Sequence, residues 1–329
     1  MINRRTLLAS APALLLAAPA LAFPDRTITL VVGFAPGGST DIAARLVGDR
    51  MQSFLPNNAR VVVENRAGAG GTVASDWLRR QPADGHTIML VEASSHAVAP
   101  NAIAGGTRFD PINDFAQIAI VGTGPLVLVF TPSFAARTPE EAVAALRGLG
   151  PQGISYASSG VGSIPHLAAE MLRLSTGATA PFTHVPYRSG GLMVEAIAKD
   201  EGTFGVAVLA SAAAQMRDGR VRGMALTGAR RSPAFPDLPT LAEGALPGFD
   251  LGTWNVILAP KDTPPETVAM LNRAITSAIA DPALRQRLLI AGVDAWEGPN
   301  TPADARAFMT AELAKFRDVV ARTGVRLDP

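Results

Sequence analysis

The chain has 329 residues, 48% of them hydrophobic and 17% charged, with a formal net charge of +1. This balance excludes an intrinsically disordered protein, and the length allows two domains, each with its own core. No basic block indicates a nucleic-acid partner, and the absence of cysteine excludes a cysteine nucleophile, a thiolate metal site and disulfides.

Residues 1–22 are predicted to form a secretory signal peptide. Arg4 and Arg5 precede an uncharged stretch over residues 6–24, and residues 20–22 read Ala-Leu-Ala, a small-x-small cleavage site. Prolines within the stretch argue against a retained membrane anchor. We therefore expect a periplasmic protein. Paired arginines occur in both Sec and twin-arginine signals, so both export routes stay open.

The first loop, residues 34–41, reads FAPGGSTD and joins a predicted strand over 28–34 to an amphipathic helix. Small residues at such a junction leave the N–H groups of the first helical turn open, and these groups attract an anion. Asp41 complements the helix dipole. It would repel an anion unless it points away or contacts an amino group of the ligand.

Strands and helices alternate along the rest of the chain, which predicts an α/β architecture with largely parallel sheets. Further strands are predicted at 60–63, 87–91, 117–121, 126–130, 154–157, 203–208, 221–227 and 253–259. The chain is expected to cross between domains near 121–125 and 226–230. These crossings divide it into lobe 1 (23–123 and 226–329) and lobe 2 (124–225).

Several helix starts carry cap residues followed by proline, at Thr138, Thr263, Asp281 and Thr301. A side-chain oxygen at the cap accepts a hydrogen bond from the next turn, and proline fits the first turn. In the last predicted helix, apolar residues from 305 to 320 recur at a helical spacing and predict a buried face. We interpret these features as structural.

The second loop, residues 158–163, reads SSGVGS and repeats the design of the first. It follows a predicted strand and precedes a predicted helix over 164–176. If the lobes divide as expected, the two loops come from opposite lobes, and their helix starts face one cleft. Backbone N–H groups and hydroxyls from both sides suit a carboxylate ligand.

A dinucleotide site is the alternative, which would make the protein an exported oxidoreductase. A strand over 61–63, the glycine loop of residues 68–71 (Gly68, Gly70 and Gly71) and Glu92 imitate the Rossmann arrangement. The third glycine of the fingerprint is replaced by Val73. Four residues separate the strand from the glycines, where the fingerprint requires almost none.

Hydrolase and metal chemistry are weaker hypotheses. The sequence contains no GxSxG, HExxH or Gly-Lys-Ser/Thr motif. A hydrolase would need a serine within hydrogen-bond reach of His96, His166 or His184, and we expect no such pair. His166 and Glu170 lie one helical turn apart, but a metal requires three or four ligands. No catalytic residue, metal or cofactor is predicted.

Six segments, in order, resemble the Bug proteins, extracytoplasmic solute receptors of the tripartite tricarboxylate transporter type. They are ITLVVGFAPGGSTDIAARLVGDRM, VVVENRAGAGGTVASDWL, YASSGVGSIPHLAAEML, HVPYRSGG, LPTLAEGALPGF and LAPKDTPPETVAMLN. The resemblance covers nearly the whole mature chain. It implies a type II periplasmic binding protein fold, with two lobes, a hinge and an interlobe cleft. It further implies a monomeric receptor, not an enzyme, that passes small carboxylates or related solutes to membrane transporter subunits.

The resemblance also implies which residues bind the ligand, with ordered waters helping to hold a carboxylate. They are Phe34, Ala35, Pro36, Gly37, Gly38, Ser39 and Asp41 in the first loop, Ser158, Ser159, Gly160, Val161, Gly162 and Ser163 in the second loop, Tyr187, Arg188, Ser189 and Gly190 in a third loop, and Ser94, Ser95 and His96. The chain departs from the family pattern over 198–208, where a Leu-Gly-Gly-x-Val-Asp run is usual. The identity of the solute therefore does not carry over.

Overall fold

The computed structural model describes residues 23–326, and the predicted signal peptide lies outside this range. The strands of the described part are β1 (Ile28–Val32), β2 (Val61–Asn65), β3 (Thr87–Glu92), β4 (Phe115–Phe130), β5 (Ile154–Ser158), β6 (Phe182–Pro186), β7 (Phe204–Val208), β8 (Arg222–Leu226), β9 (Gly252–Pro260) and β10 (Asp294–Ala295). The helices are α1 (Ser39–Met51), α2 (Thr72–Leu78), α3 (Ala99–Ala102), α4 (Pro139–Arg147), α5 (Ile164–Thr176), α6 (Gly190–Ala198), α7 (Leu209–Arg217), α8 (Pro265–Ala280), α9 (Pro282–Ala291) and α10 (Pro302–Thr323).

Lobe 1 is built on a sheet with the strand order β2-β1-β3-β9-β4. Strands β1, β2 and β3 are parallel, whereas β9 runs antiparallel to both β3 and β4. Strand β1 is almost wholly buried, as expected for a parallel strand that is covered on both faces. Helices α1 and α8 pack on this sheet and on each other. The carboxyl ends of β1 and β3 lead directly into the first loop and the segment with Ser94, Ser95 and His96.

Lobe 2 is built on a second sheet, in which the far half of β4 pairs with both β7 and β8. Strand β5 lies between β7 and β6 and is parallel to both. The second loop follows β5 and leads into α5, just as the first loop follows β1 and leads into α1. The two lobes therefore repeat the same strand–loop–helix unit.

Strand β4 belongs to both sheets and forms one of the connections between the lobes. Up to Pro125 it pairs with β9, and from Leu126 onward it pairs with β7 and β8. The return connection is tied to it by Thr227, whose hydroxyl accepts from the Leu126 N–H (3.1 Å) and donates to the Leu251 carbonyl (2.6 Å). The exact lobe boundaries stay a prediction, which this change of strand partners supports.

Some elements differ from the sequence predictions. The two strands predicted at 117–121 and 126–130 form the single strand β4. Strand β6 was not predicted because its short sequence FTHVP has no continuous apolar run and lies at the half-exposed edge of the sheet. Strand β10 has only two residues. Within residues 23–326, no helix is both long enough and apolar enough to cross a membrane.

The cap predictions hold at three of the four helix starts. Thr138, Asp281 and Thr301 accept hydrogen bonds from the first turns of α4, α9 and α10. The prediction at Thr263 is wrong, because Pro264 occupies the N-cap position of α8 and no side chain caps this helix. The Thr263 hydroxyl donates to the Pro260 carbonyl and so closes the turn before the helix.

Candidate functional site

The first loop contacts lobe 2 directly through hydrogen bonds. The N–H of Ala35 donates to the carbonyl of Arg188 (3.0 Å). The N–H of Ser39, the first residue of α1, donates to the hydroxyl of Ser211 in α7 (2.9 Å). A helix start leaves such N–H groups without partners inside its own helix. The opposite lobe therefore supplies a partner for the start of α1.

Glycines allow the two backbones to approach closely at this contact. A Cβ at Gly191 in α6 would lie 2.4 Å from the carbonyl oxygen of Gly37. A Cβ at Gly38 would lie 3.3 Å from the Cβ of Ser189. At 2.4 Å, no side chain at position 191 fits against the Gly37 backbone. Gly191 is thus required by the first loop of the other lobe, whereas the Cβ of a residue at position 190 would meet Ser211 of α7.

The second loop meets lobe 1 in the same way. The N–H of Ile164, the first residue of α5, donates to the hydroxyl of Ser94 (2.9 Å). Gly70 has a φ of +60°, and a Cβ there would lie 3.0 Å from the carbonyl oxygen of Val161. The glycine loop of residues 68–71 therefore packs against the second loop. That packing explains Gly70 without a pyrophosphate.

A small cavity lies between the two lobes, where the helix starts converge. It is lined by Phe34, Gly38, Ser39, Thr40, Glu92, Ser159, Pro165, Gly190, Val208 and Ser211. The centre of a water molecule has about 10 Å³ in which to move, which is about the room for one water. A ligand of several carbon atoms can therefore enter only when the lobes move apart. The described conformation is a closed one.

The predicted site residues divide into those that line this cavity and those that shape the loops around it. Phe34, Gly38, Ser39, Ser159 and Gly190 line the cavity. Ala35, Pro36, Gly37, Asp41, Ser94, Ser95, His96, Ser158, Gly160, Val161, Gly162, Ser163, Tyr187, Arg188 and Ser189 are not in its lining.

Two of the residues outside the lining have a clear structural role. The Ser163 hydroxyl caps α5 by accepting from the His166 N–H, and the Ser189 hydroxyl caps α6 by accepting from the Leu192 N–H. These caps fix where each helix begins. They therefore set the position of the second and third loops.

Five lining residues were not among the predicted site residues: Thr40, Glu92, Pro165, Val208 and Ser211. Glu92 ends β3, and ligands in α/β sheets gather at the carboxyl ends of strands. That rule could have identified Glu92 and Val208, the last residue of β7. Ser211 carries no sequence signal, since it reaches the site only through the folding of α7 against α1.

Asp41 points away from the cavity and fixes the first loop. Its carboxylate accepts from the Gly37 N–H (3.0 Å), from the Asn65 amide (2.9 Å) and from Arg45 (3.1 Å). Burial raises the pKa of Asp41, but the bonds from Arg45, Gly37 and Asn65 lower it more, so the net pKa lies below its usual range. At neutral pH the ionised Asp41 holds the loop in place.

We expect Asp41→Asn to reduce the free energy of unfolding by about 1.5–3 kcal/mol at pH 7, because it removes the charge of a buried carboxylate that accepts hydrogen bonds from Gly37, Asn65 and the half-exposed Arg45. A carboxyl with a lowered pKa stabilises the fold above its unfolded pKa and loses this effect as the pH falls through its folded pKa. In urea unfolding experiments, the difference in free energy of unfolding between the wild type and Asp41→Asn should therefore shrink toward pH 3. Asp49→Asn, on the exposed pair with Arg287, is the matched control and should change little. Equal effects of both variants would contradict this role of Asp41.

Two serine–histidine pairs are present, so the expectation of no such pair is wrong. Ser158 Oγ lies 2.6 Å from His184 Nε2, and Ser95 Oγ lies 2.9 Å from His96 Nδ1. Burial lowers the pKa of His96 to about 3. Its ring packs against Phe109 and Phe115, and its Nε2 has no partner among the described residues. His96 is therefore a buried neutral histidine.

The pair of Ser158 and His184 also lacks the third member of a catalytic triad. The His184 ring stacks on His166, with 3.8 Å between the ring centroids. The nearby carboxylate of Glu170 accepts from the Tyr156 hydroxyl and from Arg173 instead. Burial lowers the pKa of His184. Within residues 23–326, no three side chains of His, Asp or Glu come together as a metal site.

Known proteins resemble the chain over most of its length. The sequence profile described as "Tripartite tricarboxylate transporter family receptor" matches residues 43–325. Protein BugT of Bordetella pertussis is 32% identical over 314 residues, which cover 95% of this chain and 94% of BugT. MatC of Rhodopseudomonas palustris with bound malate has a TM-score of 0.84 at 28% identity and covers 91% of this chain and 100% of MatC. Rpa4515 of R. palustris with adipate has a TM-score of 0.86 at 28% identity and covers 93% of this chain and 100% of Rpa4515.

Proposed function

Because the chain belongs to the tripartite tricarboxylate transporter receptor family, we propose that it captures a small organic acid between its two lobes. It delivers this acid to the membrane subunits of a transporter. The relatives with bound malate and adipate support an organic acid as the ligand. The two-lobed fold predicted from the sequence is confirmed by the structure and by its similarity to periplasmic binding proteins.

One observation carries the proposal: the starts of α1 and α5, from opposite lobes, approach each other around a single cavity. The first turn of α1 and the hydroxyls of Ser39 and Ser159 line this cavity, and helix starts and hydroxyls bind carboxylates. The hydrogen bonds from Ser39 to Ser211 and from Ile164 to Ser94 join the two lobes and support a site that is completed by closure. Hinge closure around a ligand is the usual behaviour of this architecture.

The same geometry supports a receptor and not an enzyme. The alternative of an exported oxidoreductase requires space for a pyrophosphate at the glycine loop of residues 68–71. Gly70 of that loop is packed against Val161, and none of residues 68–71 lines the interlobe cavity. The predicted signal peptide, residues 1–22, accounts for export to the periplasm. We expect the receptor to act as a monomer, because each chain carries both halves of the cleft.

Thermal shift measurements on the mature protein test the proposal directly. The panel should contain mono- and dicarboxylic acids of three to six carbons, nicotinate, sugars and divalent metals. A ligand that binds the folded state alone raises Tm, by an amount set by its concentration relative to Kd. We expect an upward shift with at least one organic acid. A shift with a sugar or a metal, and with none of the acids, would contradict the proposal.

A further inference from the structure

Glu92 is the one charged side chain in the lining of the interlobe cavity. It lies at the end of β3 and is 3% exposed. One carboxylate oxygen accepts from the Ser94 hydroxyl, and the other accepts from the Thr40 hydroxyl at 3.3 Å. The cavity thus combines two helix starts, which attract anions, with a buried carboxyl group that repels them.

A plain carboxylate ligand fits this cavity poorly on electrostatic grounds. Neither arginine nor lysine lines the cavity, so a bound anion and an ionised Glu92 would face each other at low dielectric. Such a pair of like charges is costly unless one of them is protonated or another group lies between them. Burial raises the pKa of Glu92 to about 7 and so keeps it protonated below that pH in the ligand-free protein. In the complex, a hydrogen-bond donor on the ligand takes the place of that proton and lies between the two negative charges.

Glu92 has the capacity to bind such a donor. A carboxylate offers about four lone-pair positions, and the hydroxyls of Ser94 and Thr40 occupy two of them. Ser94 is itself held by the Ile164 N–H from the opposite lobe. Closure therefore fixes the orientation of Glu92 at the moment when the ligand becomes enclosed.

We propose that Glu92 accepts a hydrogen bond from a hydroxyl or ammonium group of the ligand. The solute is then a hydroxy acid or an amino acid, and not an unsubstituted acid. This inference rests on the proposed function, because it assumes that a carboxylate of the same ligand lies at the helix starts. The acid group faces α1 and α5, and the donor group faces β3.

Isothermal titration calorimetry with matched ligand series tests this selectivity. Each series contains an unsubstituted acid, its 2-hydroxy derivative and its 2-amino derivative: propionate, lactate and alanine; succinate, malate and aspartate; glutarate, 2-hydroxyglutarate and glutamate. We expect the wild type to bind a substituted member about tenfold or more tightly than its parent acid, as for a hydrogen bond to a charged group.

Glu92→Gln separates the two kinds of donor. If the donor is an ammonium group, the preference should fall about tenfold, since the charge pair is lost. If it is a hydroxyl, the preference should fall only a few-fold, because the amide oxygen still accepts. Glu201→Gln, at an exposed glutamate in lobe 2, is the control and should keep the wild-type ratios.

The outcomes separate this inference from the proposed function. If an unsubstituted acid binds as tightly as its derivatives, or if Glu92→Gln keeps all wild-type ratios, the role of Glu92 is refuted while the receptor function stands. If none of the nine compounds binds, the inference is refuted. If the wider acid panel also fails, the proposed function fails with it. The wild-type ratios test the inference even if the variant folds poorly.

Discussion

Gly191→Ala is expected to weaken ligand binding roughly 5- to 150-fold without reducing the stability of the ligand-free protein. In the closed conformation, a Cβ at this position would lie 2.4 Å from the carbonyl oxygen of Gly37. That neighbour is backbone and cannot rotate away, so the lobes must stay farther apart. Overpacking of this kind costs about 1–3 kcal/mol, which corresponds to the stated change in Kd.

The same substitution should not impair folding, because the clash exists only across the closed cleft. Gly191 lies in the first turn of α6, and alanine is a better helix former than glycine. Urea unfolding without ligand should therefore give a free energy of unfolding no lower than that of the wild type. Calorimetry with the acid that the wild type binds best measures the affinity.

Gly150→Ala is the matched control for this experiment. Gly150 precedes β5 in lobe 2, and a Cβ there would meet no atom within 4 Å. We expect wild-type affinity for this variant. Wild-type affinity for Gly191→Ala as well would mean that the ligand does not require the closed contact between α6 and the first loop.

The second large effect that we expect is a pH dependence of the free energy of unfolding, caused by the titration of Glu92. Burial raises the pKa of Glu92 to about 7, despite the hydrogen bonds from Ser94 and Thr40 that lower it. The folded protein thus retains a proton that the unfolded chain releases near pH 4.5. The stability that this proton contributes is complete below the unfolded pKa and is lost as the pH rises to about 7.

Glu92→Gln imitates the protonated carboxyl and should remove this pH dependence. At pH 5 the variant and the wild type should have similar free energies of unfolding. At pH 8 the variant should be more stable by up to about 3 kcal/mol, since each pKa unit corresponds to about 1.4 kcal/mol. Urea unfolding at both pH values in the absence of ligand measures this difference.

Glu201→Gln again provides the control, because an exposed carboxyl group has nearly the same surroundings in the folded and unfolded states. It should shift the free energy of unfolding by no more than a few tenths of a kcal/mol at either pH. A stability gain for Glu92→Gln that is equal at pH 5 and pH 8 would contradict burial of an ionisable Glu92 between the lobes.

Local signals in the sequence were sufficient to predict the repeated unit of the fold. Helix α5 begins and ends where the sequence places it, because Ser163 caps its start and Gly177 ends it in the left-handed region. The first and second loops stand out for the same reason, since small residues between a buried strand and an amphipathic helix form a local pattern. These features depend only on neighbours along the chain.

The partners across the cleft could not be predicted in this way. Ser39 and Ser211 are 172 residues apart, and Ser94 and Ile164 are 70 residues apart. Each contact depends on how two lobes meet, which no local pattern encodes. The glycines of residues 68–71 illustrate this limit. They imitate a dinucleotide-binding loop, yet Gly70 is constrained by the backbone of Val161 in the other lobe, and Gly71 by Ser95 and Phe34.

The two serine–histidine pairs also depend on the folded structure and not on a local sequence pattern, which is why we did not expect them. Ser158 and His184 lie on the neighbouring parallel strands β5 and β6, and β6 was not predicted. Their proximity follows from the strand pairing and from packing among Tyr156, His166 and His184. Proximity alone does not make a catalytic site, because a base must also be oriented by a third group.

Closure of the lobes around an organic acid is tested most directly by a distance between two spin labels. The chain contains no cysteine, so Ala67→Cys and Leu192→Cys provide unique labels at exposed positions on opposite sides of the cleft. The distance between the labels should shorten when the best-binding acid is added, and Gly191→Ala should reduce this shortening. An unchanged distance, in a sample in which calorimetry shows that the acid binds, would contradict the account.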